Sequence, residues 1–135
     1  MGVLDMANTI KELFPDYVVM IKIGTFYEVY NDDAKILNYL FKYKLRSNMS
    51  CGFPISSINK VMYVLENKSI NYIMLDKSHN YEEEGKVNYK KKNKYMEVLD
   101  SANLYIDKVR RIERIKNYLL KDSSMIEDIE NLLYG

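Results

Sequence analysis

The sequence predicts an α/β fold: a mixed β-sheet flanked by helices, followed by a C-terminal helical hairpin. Three observations carry this reading. Short apolar runs of strand length, around VVMI and YIML, alternate with stretches whose apolar residues recur every three or four positions. Gly24, the Gly52-Phe53-Pro54 step and Asn67-Lys68 punctuate those runs. From about Tyr95 the pattern becomes one long helical stripe.

The elements follow in order. A short helix is expected over about Asp5–Leu13, stopped by Pro15, which disfavours helix at the residue before it. Tyr17–Ile23 reads as a central strand, because its continuous apolar run suits burial on both faces. Gly24 permits a bend, and Thr25–Tyr30 reads as a second strand. Asn31 or Asp32 is placed to cap the next helix, with Asp33 in its first turn favourable to the dipole. Ile36, Leu37, Leu40 and Phe41 form that helix's core face. A short strand is expected over Tyr43–Arg46.

After Pro54, Ser56 or Ser57 is placed to cap a helix running to about Glu66, with Ile58, Val61, Met62 and Leu65 apolar. Ile70–Leu75 is the next strand. Residues 77–94 are polar, with a short strand expected at Lys86–Tyr89. On the long helix Val98, Ala102, Tyr105, Val109 and Ile112 recur at intervals of four and three, and Leu99, Ile106 and Leu119 widen the stripe. Ser124 and Glu127 have the spacing of a capping box for a last helix. The expected organisation is an α/β domain over residues 1–92 and a helical hairpin over 93–135. That hairpin must bury its stripe against the α/β part, its own second arm, a second copy or a protein partner.

Composition limits the function. At 135 residues with 47% hydrophobic and 29% charged residues, one domain with an appendage is expected. The net charge of +1 is far from the strongly basic balance of a protein that holds duplex DNA tightly alone. Charge is clustered nonetheless: Glu82–Glu84 is acidic, while Lys90–Lys92 and Arg110-Arg111 with Arg114 are basic. Each basic run reads as a solvated surface or as a phosphate contact. No apolar run approaches the roughly 20 residues of a membrane span, so no membrane partner is expected. The N-terminus lacks a secretory pattern, and the single Cys51 fits a reducing compartment, so the expected location is cytoplasmic.

Catalytic chemistry finds few residues. His79 is the only histidine, so the His-containing clusters of a zinc enzyme are excluded. Cys51 lacks a Cys or His neighbour in sequence and reads as a small packing residue. There is no GxxxxGK[ST] phosphate loop, hence no Walker-type ATP site. The expectation is a non-enzyme without cofactor or metal.

The most informative segment is Phe26-Tyr27-Glu28. In an extended chain Phe26 and Glu28 point to one face and Tyr27 to the other. A flat ring beside a carboxylate can wedge against a nucleobase and accept a hydrogen bond from it. The same alternation is also what an ordinary half-buried strand needs.

Residues 15–76 resemble the N-terminal mismatch-recognition domain of the DNA mismatch-repair protein MutS. The resemblance rests on three ordered blocks: FPDYVVMIKIG at 14–24, FYEVYNDDAK at 26–35, and CGFPISSINKVMYVLENKSINYIMLD at 51–76. Thr25 stands where the family usually has Asp, Ile55-Ser56 where Tyr-His is common, and RSNMS at 46–50 is shorter than the family's loop. The resemblance implies a stand-alone recognition domain of mixed-sheet fold. It implies that Phe26 stacks on a mispaired base from the minor groove of kinked DNA and that Glu28 hydrogen-bonds that base. Tyr27 is then a core residue. Lys44 and Arg46 are the expected phosphate contacts. Stacking on one base is worth roughly 1–3 kcal/mol, less than the several kcal/mol of kinking DNA, so binding by this chain alone is expected to be weak. The alternative is a protein–protein adaptor within a larger nucleic-acid-processing machine, with the helices of 95–133 as its interface. A decaying remnant is opposed by the ordered caps and stripes of those helices.

Overall fold

The computed structural model describes residues 2–135. Its element order is α1 (Val3–Leu13), β1 (Val18–Ile23), β2 (Phe26–Tyr30), α2 (Asn31–Phe41), β3 (Ser50–Pro54), α3 (Ile58–Asn67), β4 (Tyr72–Asp76), β5 (Glu82–Val87), α4 (Tyr95–Lys121) and α5 (Ile126–Tyr134). The five strands form one mixed sheet in the order β3-β2-β1-β4-β5. β1 and β4 run parallel and every other pair is antiparallel. The expected mixed sheet flanked by helices is therefore present, with two helices at the C-terminus.

The pleat divides the sheet between two cores. Val18, Met20, Tyr27, Val29, Cys51, Phe53 and Tyr72 face α2, α3 and the start of α4. Val19, Ile21, Ile73 and Leu75 face α1 through Ala7 and Ile10. The central strand is buried on both faces, as its unbroken apolar run requires. Tyr27, Phe53 and Tyr43 stack at centroid distances of 5.5 and 5.6 Å, which fills the first core beneath β2.

A buried polar knot joins the helices to β1. Asp33 accepts from Lys11 Nζ at 2.7 Å and from Tyr95 Oη at 2.6 Å. Its other oxygen accepts from the Val19 N–H at 3.1 Å. Burial pushes the Asp33 carboxyl upward in pKa, opposed by the Lys11 charge and these donors. Sequence periodicity places Asp33 in a helix's first turn, where it does sit, but its main partners lie on α1, β1 and α4.

Several expectations are corrected. Tyr43–Arg46 is not a strand: Tyr43 and Leu45 pack inward and Lys44 and Arg46 point out, but no ladder forms. The strand expected at Lys86–Tyr89 instead spans Glu82–Val87, because its acidic residues occupy an exposed sheet edge that tolerates charge. The residue preceding α2 is Tyr30, which makes no capping bond, while Asn31 takes a left-handed φ of 52° and donates its N–H to the Met49 carbonyl. Ser57 precedes α3 without a side-chain cap. Before α5, Asp122 rather than Ser124 is the acceptor, taking the Ser124 N–H and hydroxyl.

The chain divides into two compact units, one ending at Asn103 and one comprising Leu104–Gly135. The division falls beyond residue 92 because Tyr95 and Leu99 are buried in the first core. In the second unit the apolar residues Leu104, Ile112, Ile115, Leu120, Leu132 and Leu133 are exposed.

Candidate nucleic-acid interface

The β1–β2 connection is a two-residue hairpin, with Ile23 paired to Phe26. Gly24 has a φ of 62° and Thr25 does not, the arrangement of a type II′ turn, which needs a residue without a Cβ at its first position. The tight turn sets Phe26 as the first residue of β2, between Ile23 on β1 and Pro54 on β3. The Ile55 N–H donates to the Thr25 carbonyl at 3.0 Å and ties the hairpin tip to the end of β3.

Phe26 and Glu28 lie on the sheet face they share with their partners Ile23 and Ile21, whereas Tyr27 and Val29 enter the opposite core. The alternation read from sequence is thus present. Phe26 is 44% exposed, the more telling because the neighbouring Tyr27 and Val29 are buried.

Glu28 is not free. Arg46 Nη1 donates to its Oε2 at 2.6 Å and Nη2 to its Oε1 at 3.3 Å, a two-pronged ion pair. A second set of bonds aims the guanidinium. Arg46 Nη1 also donates to Ser50 Oγ at 3.1 Å, and Ser50 Oγ donates to Asn48 Oδ1 at 2.6 Å. The turn carrying Arg46 is closed by its own N–H to the Ser50 carbonyl and by the Met49 N–H to its carbonyl, both at 2.9 Å.

Gly52, opposite Glu28 on β3, makes room for this pair. A Cβ there would lie 2.7 Å from Arg46 Nη2 and 2.8 Å from Glu28 Oε1. The glycine of the CGFP block is therefore a matter of space above the sheet. The neighbouring Cys51 points into the core, and burial pushes its thiol up to about 11, so it stays neutral and acts as packing.

The structure brings Phe26, Glu28 and Arg46 together on or beside β2. Lys44 is exposed in the segment after α2 and forms no bond with these three. Sequence reasoning singled out Arg46 but gave it no carboxylate partner. It read Gly52 only as punctuation and as part of the CGFP block, and Asn48 and Ser50 only as part of a short loop, giving none of them a role beside Glu28.

Elsewhere on the α/β unit, His79 Nδ1 lies 2.7 Å from Asp76 Oδ2, and Lys22 Nζ lies 2.7 Å from Glu84 Oε1. Among the described residues no cluster of His, Cys, Asp and Glu is arranged to hold a metal ion, and no helix is long and apolar enough to cross a membrane.

The arrangement offers an exposed aromatic ring next to a carboxylate–guanidinium pair, on the rim of a sheet whose reverse side is solid core. It supplies a stacking surface, an acceptor and a donor, without a nucleophile or a base set against one. A family model described as MutS domain I matches residues 3–99 of the chain. No curated protein matches it.

Proposed function

Because the chain belongs to the MutS domain I family, whose members are DNA-recognition rather than catalytic domains, we propose that it contacts a mispaired or unstacked base through Phe26 and Glu28. Phe26 is the wedge: its exposed ring stacks against the base or enters the step beside it. Glu28 accepts a hydrogen bond from a base nitrogen. Arg46 holds the carboxylate in place through two bonds, so the acceptor is oriented before DNA arrives. It also offsets the repulsion between a bare carboxylate and the phosphate backbone. Lys44, with the uncommitted edge of Arg46, supplies phosphate contacts.

The single observation behind this reading is the exposed Phe26 ring on the same sheet face as the Arg46-gripped Glu28. The near-neutral chain sets the strength. Without a broad basic surface, affinity alone is roughly micromolar or weaker, the range of non-specific binding at physiological salt. The adaptor reading is favoured by one observation, the exposed apolar face of residues 104–135.

Titrating mismatched, matched, bulged and single-stranded oligonucleotides with the wild type and Phe26→Ala at low salt separates the two. Preference for a mismatch that is lost in the variant supports the wedge. Absence of binding to every oligonucleotide leaves the adaptor.

A further inference from the structure

The second unit, residues 104–135, is too small to bury a core of its own: below about 40 residues a chain usually needs a staple, a metal or an association partner. The only cysteine lies outside it. Near the turn at Asp122, Ile112, Ile115, Leu119, Leu120 and Ile126 line a groove of about 370 Å³ whose walls are almost wholly apolar, with Lys116 at its edge. Along α5, Ile129, Leu132 and Leu133 recur at helical spacing and form a narrow apolar ridge. Leu133 is exposed.

The two arms differ in charge. From Lys108 to Lys121, α4 carries Lys108, Arg110, Arg111, Arg114, Lys116 and Lys121 against a single acid, Glu113. α5 carries Glu127, Asp128 and Glu130 and no base. On α5, Asp128 and Glu130 fall on either side of the apolar ridge. The basic arm supplies every groove residue except Ile126, and the acidic arm has an apolar ridge of its own further along.

We propose that this surface binds a second copy of the chain, with α5 of each copy seated in the groove of the other. A two-fold contact of this kind is self-complementary: each copy gives its acidic ridge and receives one. Lys116 at the groove edge then faces Glu130 of the second copy, and the apolar residues of both arms leave water together. The proposal does not depend on the DNA-binding reading. If both hold, pairing couples two weak reading modules and raises avidity without any new contact to DNA.

Sedimentation equilibrium of the full chain tests it. A dimer is expected to appear over about 1–200 µM, the range in which weak self-association shows. Leu119→Glu is expected to give a monomer with unchanged circular dichroism from the α/β unit. Lys116→Glu and Glu130→Lys each set like charges face to face and are expected to weaken the dimer by about tenfold or more. Mixed in equal amounts, these two variants are expected to recover wild-type association, because each heterodimer contact again joins opposite charges. A wild type that stays monomeric throughout overturns the proposal. So does a dimer that survives Leu119→Glu. A mixture that associates no better than its separate components overturns it too.

Discussion

Arg46 reaches over Gly52 and grips the carboxylate of Glu28 at 2.6 Å across β2 and β3. The contact joins residues separated by 18 positions in sequence. It turns a lone strand glutamate into an oriented acceptor with a cation at its side.

Gly52→Ala tests the space that this contact needs. The new Cβ would fall within 2.7–3.0 Å of the Arg46 and Glu28 tips. Those atoms end flexible side chains, so they move at small cost. The expected loss of stability in urea unfolding is under about 1 kcal/mol, near the low end for a half-exposed site. The pair itself separates, and mismatch preference in an oligonucleotide titration falls. A crystal structure of the variant with the pair intact would contradict this.

Arg46→Lys separates orientation from charge. Lysine keeps the cation and loses the two-pronged fork. If Arg46 positions Glu28, the lysine variant loses mismatch preference while its affinity for matched duplex holds. If Arg46 only touches phosphate, lysine restores binding, and Arg46→Met lowers the salt slope by about one for all sequences alike. The first outcome is expected. Stability changes by less than about 1 kcal/mol, since the pair is partly solvent-screened.

Much of the fold is legible in the sequence because burial writes itself as periodicity. VVMI announces a strand covered on both sides, and Ile36-Leu37 with Leu40-Phe41 announces the helix that lies on it. Phe26 and Glu28 share a face because a strand alternates. The Glu28–Arg46 pair is not legible, since nothing local to either residue encodes a contact made through a turn and a glycine on a different strand. β5 is hidden because Glu82–Glu84 carries no apolar signal; its pairing comes from the free edge of β4. Asp33 misleads for a related reason. A carboxylate at a helix start reads as a cap or a dipole partner, and its burial against Lys11 and Tyr95 depends on elements far along the chain.

Tyr95→Phe measures that buried knot. The hydroxyl donates to Asp33 at 2.6 Å, and Lys11 Nζ lies 3.1 Å from it. Removing it leaves Asp33 short of one donor in a buried site, at an expected cost of about 1–3 kcal/mol in urea unfolding. DNA binding below the unfolding transition is expected to stay at wild-type level, because the knot lies apart from Phe26.

His79 reports on Asp76. The hydrogen bond and the charge of Asp76 raise the imidazole above its ordinary pKa of 6.5, while bonds from Ser78 and His79 hold the Asp76 carboxyl well below the usual carboxylate range. A histidine with a raised folded pKa stabilises the fold fully below 6.5, and that contribution fades as pH rises through the folded value. Asp76 behaves oppositely: its contribution is present above about 3.9, the ordinary aspartate value, and is lost on further acidification. An NMR titration of the His79 ring should give a midpoint above 6.5, falling back in Asp76→Asn. A midpoint at or below 6.5 in the wild type would rule out the contact in solution.

The most direct test of base reading is the affinity of Phe26→Ala for a single-mismatch duplex beside its matched control. Phe26 is exposed, so melting temperature should hold. The expected result is a loss of about 1–3 kcal/mol, roughly 5- to 150-fold, on the mismatched duplex, and little change on the matched one. Equal binding of the mismatched duplex by wild type and variant would contradict it.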